Sequence, residues 1–290
     1  MTSDAAPPVT ESRRVKVVTD STSDLPREIA ASLDIAVVPL TVSFGDRAYH
    51  DGVDLDQAGF LRELRAAPDL PKTSQPPTTA FEEVFGSALA DDRDVVCVTI
   101  GSGFSGTHNA ARLAAEAVGP DRVRVIDSAT ASMRTGLAVI EGAVAAQRGV
   151  DAAGVGAVVE SVLARSEVYA VLETLEYLQR GGRIGRASQL VGSLLSIKPV
   201  LTLRDNEVLP VERVRTWRKA LDRMVEIARA QGQLEHLVIL HVGNPDDARG
   251  LLERLAELVP NRAPIVGEMG PVIGTYAGPG AVGIVTLRAP

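Results

Sequence analysis

The chain has 290 residues, 45% of them hydrophobic but only 3% aromatic, and a formal charge of −7. That length allows one large domain or two ordinary ones, and the apolar content is ample for a core built from Ala, Val, Leu and Ile. The acidic balance argues against nucleic acid or an anionic membrane surface as the main partner, and the single cysteine, Cys97, excludes a disulfide within the chain.

Residues 1–14, MTSDAAPPVTESRR, lack the apolar stretch of a secretory signal and read as a disordered tail. No apolar run reaches the length of a membrane span, the longest being LVGSLLSI before Lys198, so a cytoplasmic, soluble protein is the default. From Val15 onward, β-branched runs alternate with helical patterns. VKVVT is a predicted strand, DLPREIAASL a helix and IAVVPLTVSF a single strand. DQAGFLRELRAA is a helix, LPKTSQPP a loop, and TTAFEEVFGSALA a helix capped by Thr78 or Thr79. Strand VVCVTI, which contains Cys97 as an inert core thiol, leads through a Gly-rich loop into an Ala-rich helix. Strand RVRVI and a long helix from Ala129 to Gly149 complete this half. Strands separated by helices predict an α/β fold with a parallel sheet covered on both faces.

The second half differs. A helix over VDAAGVGAVVESVLARS leads to strand VYAVLE and the short helix TLEYLQR, which stops at Gly181-Gly182. RIGRASQLVGSLLSI is a predicted helix, and VLTLR and EVLPVERVR flank Asp205-Asn206, a hairpin signal. Helix TWRKALDRMVEIARAQ, strand LVILHV, helix DDARGLLERLAELV and strand APIVGEM come next, and GPVIGTYAGPGAVGIVTLR is read as a Gly-rich turn and a last strand. The hairpin implies a mixed sheet, so the prediction is an N-terminal α/β domain over 15–165 and a C-terminal α/β domain over 166–290, with a ligand in the cleft between them.

Several motifs could carry chemistry. In IGSGFSGTHNAA, Gly101, Gly103 and Gly106 have G-x-G-x-x-G spacing, and Asp127 follows the next strand 127 − 106 = 21 residues on, where a ribose-binding acid would sit. An NAD-type oxidoreductase using the loop at 101–106 is therefore one reading. The loop is filled with hydroxyls, however, and a Ser/Thr-lined turn at a helix start also suits a carboxylate or simply caps the helix. DSTSDLP, residues 20–26, reads as helix capping beside the same cleft. In KTSQPP the two prolines pin Thr73 and Ser74, either as a placed hydroxyl pair or as an ordinary linker. After Gly181-Gly182, Arg183 and Arg186 either offer planar forks to an anion or are solvated. His50, His108, His236 and His241 have no metal-ligand spacing with Cys97 or with acids, so no metal is expected.

Together and in order, DSTSDLP, KTSQP, SGFSGT, IDS, TLEYLQRGGRIG, KPVL and TYAGPGAVG resemble the DegV family of bacterial fatty-acid-binding proteins, over residues 15–288. The resemblance implies one long-chain fatty acid held between two domains and, in the fatty-acid-kinase members, presented to a separate ATP-using kinase that makes an acyl-phosphate. It places the carboxylate-binding hydroxyls on Thr73, Ser74 and Ser102 and gives Arg183 a role with the kinase. Two positions depart from the family pattern: Gly101 replaces a serine, and Tyr276 replaces the histidine of the last Gly/Pro turn. Tyr276 is expected to keep the hydrogen bond to the carboxylate and not a charge. QLVGSLLSIKPVLTL supplies small and branched residues for an apolar tunnel. The expected protein is thus a lipid carrier with no cofactor and no catalysis of its own. Besides the oxidoreductase, a lipid sensor or structural protein without a kinase is the third reading.

Overall fold

The structure is a computed structural model that describes residues 14–193 and 197–289, without the side chains of 191–193. The predicted tail (apart from Arg14) and residues 194–196 of the predicted helix after Gly182 lie outside the described residues.

The first sheet is parallel, in the order β2 (Ala36–Val38), β1 (Val15–Asp20), β6 (Asp94–Thr99), β7 (Val123–Asp127). β1 and β6 are buried on both faces, which is why they read as continuous β-branched runs without alternation. α3 (Thr78–Ala90) and α4 (Thr107–Val118) cover one face with Phe81, Phe85, Ala111 and Ala114. α5 (Met133–Gln147) and α6 (Ala152–Arg165) cover the other. The same two helices also touch the second sheet, a mixed one in the order β10 (Glu207–Glu212), β9 (Val200–Arg204), β8 (Ser166–Val171), β13 (Val282–Arg288), β11 (Leu234–His241), β12 (Ile265–Glu268). α8 (Trp217–Arg229) and α9 (Pro245–Leu255) close its far face over Met224, Leu237, Ile239 and Leu251. The expected α/β architecture, with one parallel and one mixed sheet, is the one observed, and β8 begins directly where α6 ends.

Several expected elements are different. The run 35–44 is not one strand. It breaks at Pro39, which has no N–H for a ladder, and Leu40 N donates instead to Ser21 Oγ at 3.0 Å. Past this break the chain forms β3 (Thr41–Phe44), in a separate antiparallel sheet with β4 (Arg47–His50) and β5 (Lys72–Ser74). The predicted loop 70–77 thus contains a strand, with Val42 opposite Thr73 and Thr41 opposite Ser74. The helix predicted from Asp24 is only α1 (Arg27–Ser32), because Asp20 caps a 3-10 turn at Ser21–Ser23 and Asp24 turns left-handed at φ 51. Thr78 and Thr79 do not cap α3: Pro77 holds the cap position with no side-chain bond. Gly185–Ser193 is 3-10, not α. The expected turn near the C-terminus contains helix α10 (Pro271–Ala277), started by Pro271, whose fixed φ suits a first helical position. α10 packs on α2 (Gln57–Ala66) and α7 (Glu176–Arg180), as well as on β3 and β5.

Candidate binding site

A cavity of about 300 Å³ lies between the loops of the parallel sheet and the inner face of the mixed sheet. Its wall follows the two-residue period of strands: Val168 and Ala170 on β8, with Leu172 just beyond it, Leu201 and Leu203 on β9, and Val285 on β13. The volume is at the small end of ligand pockets, roughly 300–1,000 Å³. Most polar groups of the lining, Thr73, Ser74, Gln75, Ser105, Arg183 and Tyr276, gather at one end, and the remaining one, Ser132, turns its hydroxyl to Asp24. Among the described residues lining the cavity, Arg183 is the only charged one. Thr73, Arg183 and Tyr276 also border a more polar space of about 800 Å³ that includes Arg47, Lys72 and Arg180. These three side chains therefore partition an apolar interior from a wet, basic vestibule.

Each reaches the mouth from a different element. Thr73 comes from β5, Tyr276 from the last turn of α10, and Thr73 Oγ1 and Tyr276 Oη share a 2.6 Å hydrogen bond. Arg183 lies just past α7. Its Nε donates to the Phe104 carbonyl at 3.1 Å, its Nη1 to Gly181 O at 2.9 Å, and the guanidinium carbon lies 5.5 Å from the Tyr276 ring centroid, within cation–π range. Ser105 stands just outside the start of α4, where Oγ accepts from Thr107 N at 3.3 Å and meets Thr107 Oγ1 at 2.8 Å. Four of the five residues predicted for the site, Thr73, Ser74, Arg183 and Tyr276, line this one cavity.

Ser102 does not. It is exposed, its N–H donates to Asp127 Oδ1 at 3.1 Å, and it is absent from the described lining. Ser105, in the same loop, occupies the position expected of it. What separates the two serines is the start of α4: a hydroxyl two residues before a helix start bonds to that helix's first turn and so faces the cleft at the strand ends.

The dinucleotide reading of the loop also fails on geometry. The tip of the β9–β10 hairpin fills the place of a pyrophosphate. Gly103 N donates to Asn206 Oδ1 at 3.0 Å, and a Cβ on Gly101 would lie 2.3 Å from that same oxygen. A Cβ on Gly106 would lie 1.9 Å from Gln75 Oε1. The glycines thus admit the protein's own side chains. Asp127 faces the loop, accepting from Ser102 N and from Ala129 N at 2.8 Å. Burial opposes its ionisation, but the Ser102 and Ala129 hydrogen bonds outweigh that and hold the carboxyl below its usual range.

Cys97 is fully buried, and burial pushes its thiol well up. One convergence has no signature in sequence spacing. His236 Nε2 lies 2.7 Å from Glu141 Oε1, with Glu235 close enough that the three sets of ligand atoms fall within 4.8 Å of one another. Arg262 reaches Glu141 at 2.8 Å and Arg165 reaches Glu235 at 3.0 Å. Two guanidiniums already balance the two carboxylates, which makes the cluster an ion-pair seam between α5 and β11 and leaves a cation little to gain.

Fold and site together define an α/β protein, with a parallel sheet, a mixed sheet and a small antiparallel one, around an apolar cavity closed by a hydroxyl-lined mouth. The chain belongs to the DegV family: the family model described as "Uncharacterised protein, DegV family" matches residues 14–289. A DegV domain-containing protein of Streptomyces coelicolor is 39% identical over 280 residues, covering 94% of this chain and 98% of the relative. A DegV family protein of Thermus thermophilus, whose structure is described as showing fatty acid binding, superposes with a TM-score of 0.89 at 34% identity, over 95% of this chain and all of that one. DegV of Bacillus subtilis, described as a fatty acid binding protein, gives 0.86 at 30% identity, over 96% and 100%.

Proposed function

We propose that this protein binds one long-chain fatty acid in the cavity and presents its carboxyl group to a separate ATP-dependent kinase for conversion to an acyl-phosphate. The carrying observation is the Thr73–Tyr276 hydroxyl pair at the mouth of an otherwise apolar cavity. Two hydroxyls that now satisfy each other can both donate to an arriving carboxylate, and hydrogen bonds to a charged acceptor are the stronger kind. Ser105 adds a third donor, with Ser74 at the rim. The acyl chain lies against the strand residues of β8, β9 and β13. Each buried CH₂ contributes about 0.8 kcal/mol, so a chain of about sixteen carbons gains on the order of 10 kcal/mol gross, before the cost of ordering both partners.

Arg183, exposed at the boundary between the cavity and the basic vestibule, is the residue we assign to the kinase encounter, in line with the family resemblance. The described lining offers no carboxylate, imidazole or thiol to act as a base, which favours a carrier that does no chemistry itself. No helix among the described residues is long and apolar enough to cross a membrane, and we place the protein in the cytoplasm. We divide the chain at Arg165, with residues 15–165 as the N-terminal domain and 166–290 as the lipid-holding one. Mass spectrometry of an organic extract of the denatured, purified protein tests the ligand. A stoichiometric fatty acid is expected, and a nucleotide in its place would overturn the reading. In the same preparation Arg183→Ala should keep the lipid but lose acyl-phosphate formation with the kinase.

A further inference from the structure

α10 carries Tyr276 in its last turn, and its first turn is held by two carboxylates from the N-terminal half of the chain. Asp24 Oδ1 accepts from Gly270 N at 2.8 Å, and Asp51 Oδ1 from Val272 N at 3.4 Å. The other Asp24 oxygen takes the Ser132 hydroxyl at the start of α5. A Cβ on Gly270 would lie 3.2 Å from both Asp24 Oδ1 and Asp51 Oδ1, so the two carboxylates converge on one backbone position. Asp20 is a third buried acid close by, occupied by Ile100 N at 2.7 Å and Thr22 N at 3.0 Å. Asp51 is only 3% exposed, and its Oδ2 has no hydrogen bond of good geometry. No lysine or arginine among the described residues is paired with any of the three.

We infer that Asp24 and Asp51 are positioning residues for the cavity mouth: they set the start of α10, and with it the place of the Tyr276 hydroxyl against Thr73, and they loosen that hold as they ionise. This inference rests on the lipid-binding reading above. The helix transmits the hold because it is short and firmly packed. A Cβ on Gly274 in its middle would lie 2.9 Å from the Phe60 ring, so α10 sits flush on α2 and its start and its last turn are rigidly linked over only seven residues. Burial pushes the Asp51 carboxyl up to about 7. The Ser21 hydroxyl and the Val272 N–H oppose this, and the charge of Asp20 adds to it. Asp24 is raised by burial too, against its Ser132 and Gly270 bonds, with Asp51 and Asp20 adding.

A state that binds a proton more tightly than its solvated alternative is disfavoured when that proton leaves, so the docked position of α10 weakens as pH rises from about 4 to about 7. The charged groups facing the pair are Asp20 from β1 and, around the cleft beside it, Arg27, Asp54, Asp56, Arg62 and Glu268. His241, whose carbonyl takes Met269 N, stands behind, and burial keeps its imidazole low. α10 itself brings no ionisable group except Tyr276.

Release of a fluorescent long-chain fatty acid, followed by stopped flow from pH 5.5 to 8.5, tests the inference in the wild type, Asp51→Asn and Asp24→Asn. The wild-type release rate should rise with pH, by up to about tenfold per unit, the limit for a single proton. Asp51→Asn should lose most of the slope and keep only the part that Asp24 supplies, because its amide oxygen still accepts from Val272 N and cannot ionise. Asp24→Asn should lose part of the slope. In the unmutated protein, amide exchange at Gly270 and Val272, corrected for intrinsic rates, should quicken over the same range. A flat wild-type profile, exchange that does not quicken, or an Asp51→Asn variant that keeps the wild-type slope would overturn the inference alone. A wild type that takes up no fatty acid at any pH would overturn it together with the lipid-binding reading.

Discussion

Ser102 and Ser105 stand three residues apart in one loop, yet they face different surroundings. Ser102 is exposed and bonds to Asp127, whereas Ser105 lines the cavity. Ser105→Ala should weaken fatty-acid affinity by about 1–3 kcal/mol, the usual cost of leaving a buried charged acceptor short of a donor. Ser102→Ala should leave it unchanged. Titration of both variants with one labelled lipid checks the pair, and equal losses would return Ser102 to the site. The same contrast explains what could be read in advance at this scale. Thr73, Ser74, Arg183 and Tyr276 were legible through family resemblance, since nothing in their spacing brings β5 beside α10. Ser105 was not, because motif order says which loop meets the ligand, while the direction of each hydroxyl depends on where α4 begins.

The β9–β10 hairpin is the element that joins the two sheets across the cavity. Its tip was legible in the sequence because Asp205 and Asn206 both adopt positive φ, 51 and 65, which those residue types tolerate in a two-residue turn. Its function was not legible: Asn206 seals the glycine loop, while Leu201, Leu203 and Val208 in its arms line the cavity. A Cβ on Gly103 would lie 2.6 Å from both Asn206 Cβ and Asn206 O. Gly103→Ala should therefore push the tip outward, destabilise the protein by about 1–3 kcal/mol as overpacking does, and speed ligand release. Urea unfolding and release kinetics measure the two effects, and wild-type values in both would show that the tip carries no load. Other elements escaped prediction for definite reasons. β5 has three residues and exists only by pairing with β3, a tertiary contact. α10 looks like a turn because its glycines and proline resemble turn chemistry, although Pro271 starts the helix and Gly274 lets it lie on Phe60. The 35–44 run has one strand's composition but two partners, divided at a proline.

At the scale of the whole molecule, the buried acids give stability an unusual pH dependence. Asp51, with an ordinary value near 4 and a folded value of about 7, contributes stability that is complete below 4 and is lost as pH rises to 7. Three units correspond to up to about 4 kcal/mol for this group. Asp34, Asp127 and Glu141 are held low instead, and their contribution is lost only as pH falls through those lowered values. The thermal midpoint should therefore peak near pH 4 and decline toward 7, and Asp51→Asn should flatten the decline. A midpoint that climbs steadily to pH 8 in the wild type would contradict this. The mixed sheet has a further consequence, for the order in which the molecule is made. β13, last in sequence, lies between β8 and β11, and it supplies Gly283 and Val285 to the cavity wall. During synthesis the parallel sheet is complete once Asp127 has emerged. The strands β8–β10 and β11–β12, by contrast, stay two separate pieces until β13 leaves the ribosome to bridge them. The nascent chain thus carries an unfinished, apolar half-sheet while the 282 − 212 = 70 residues from the end of β10 to the start of β13 are made, at about 5–20 per second, and the cavity wall closes only when β13 arrives.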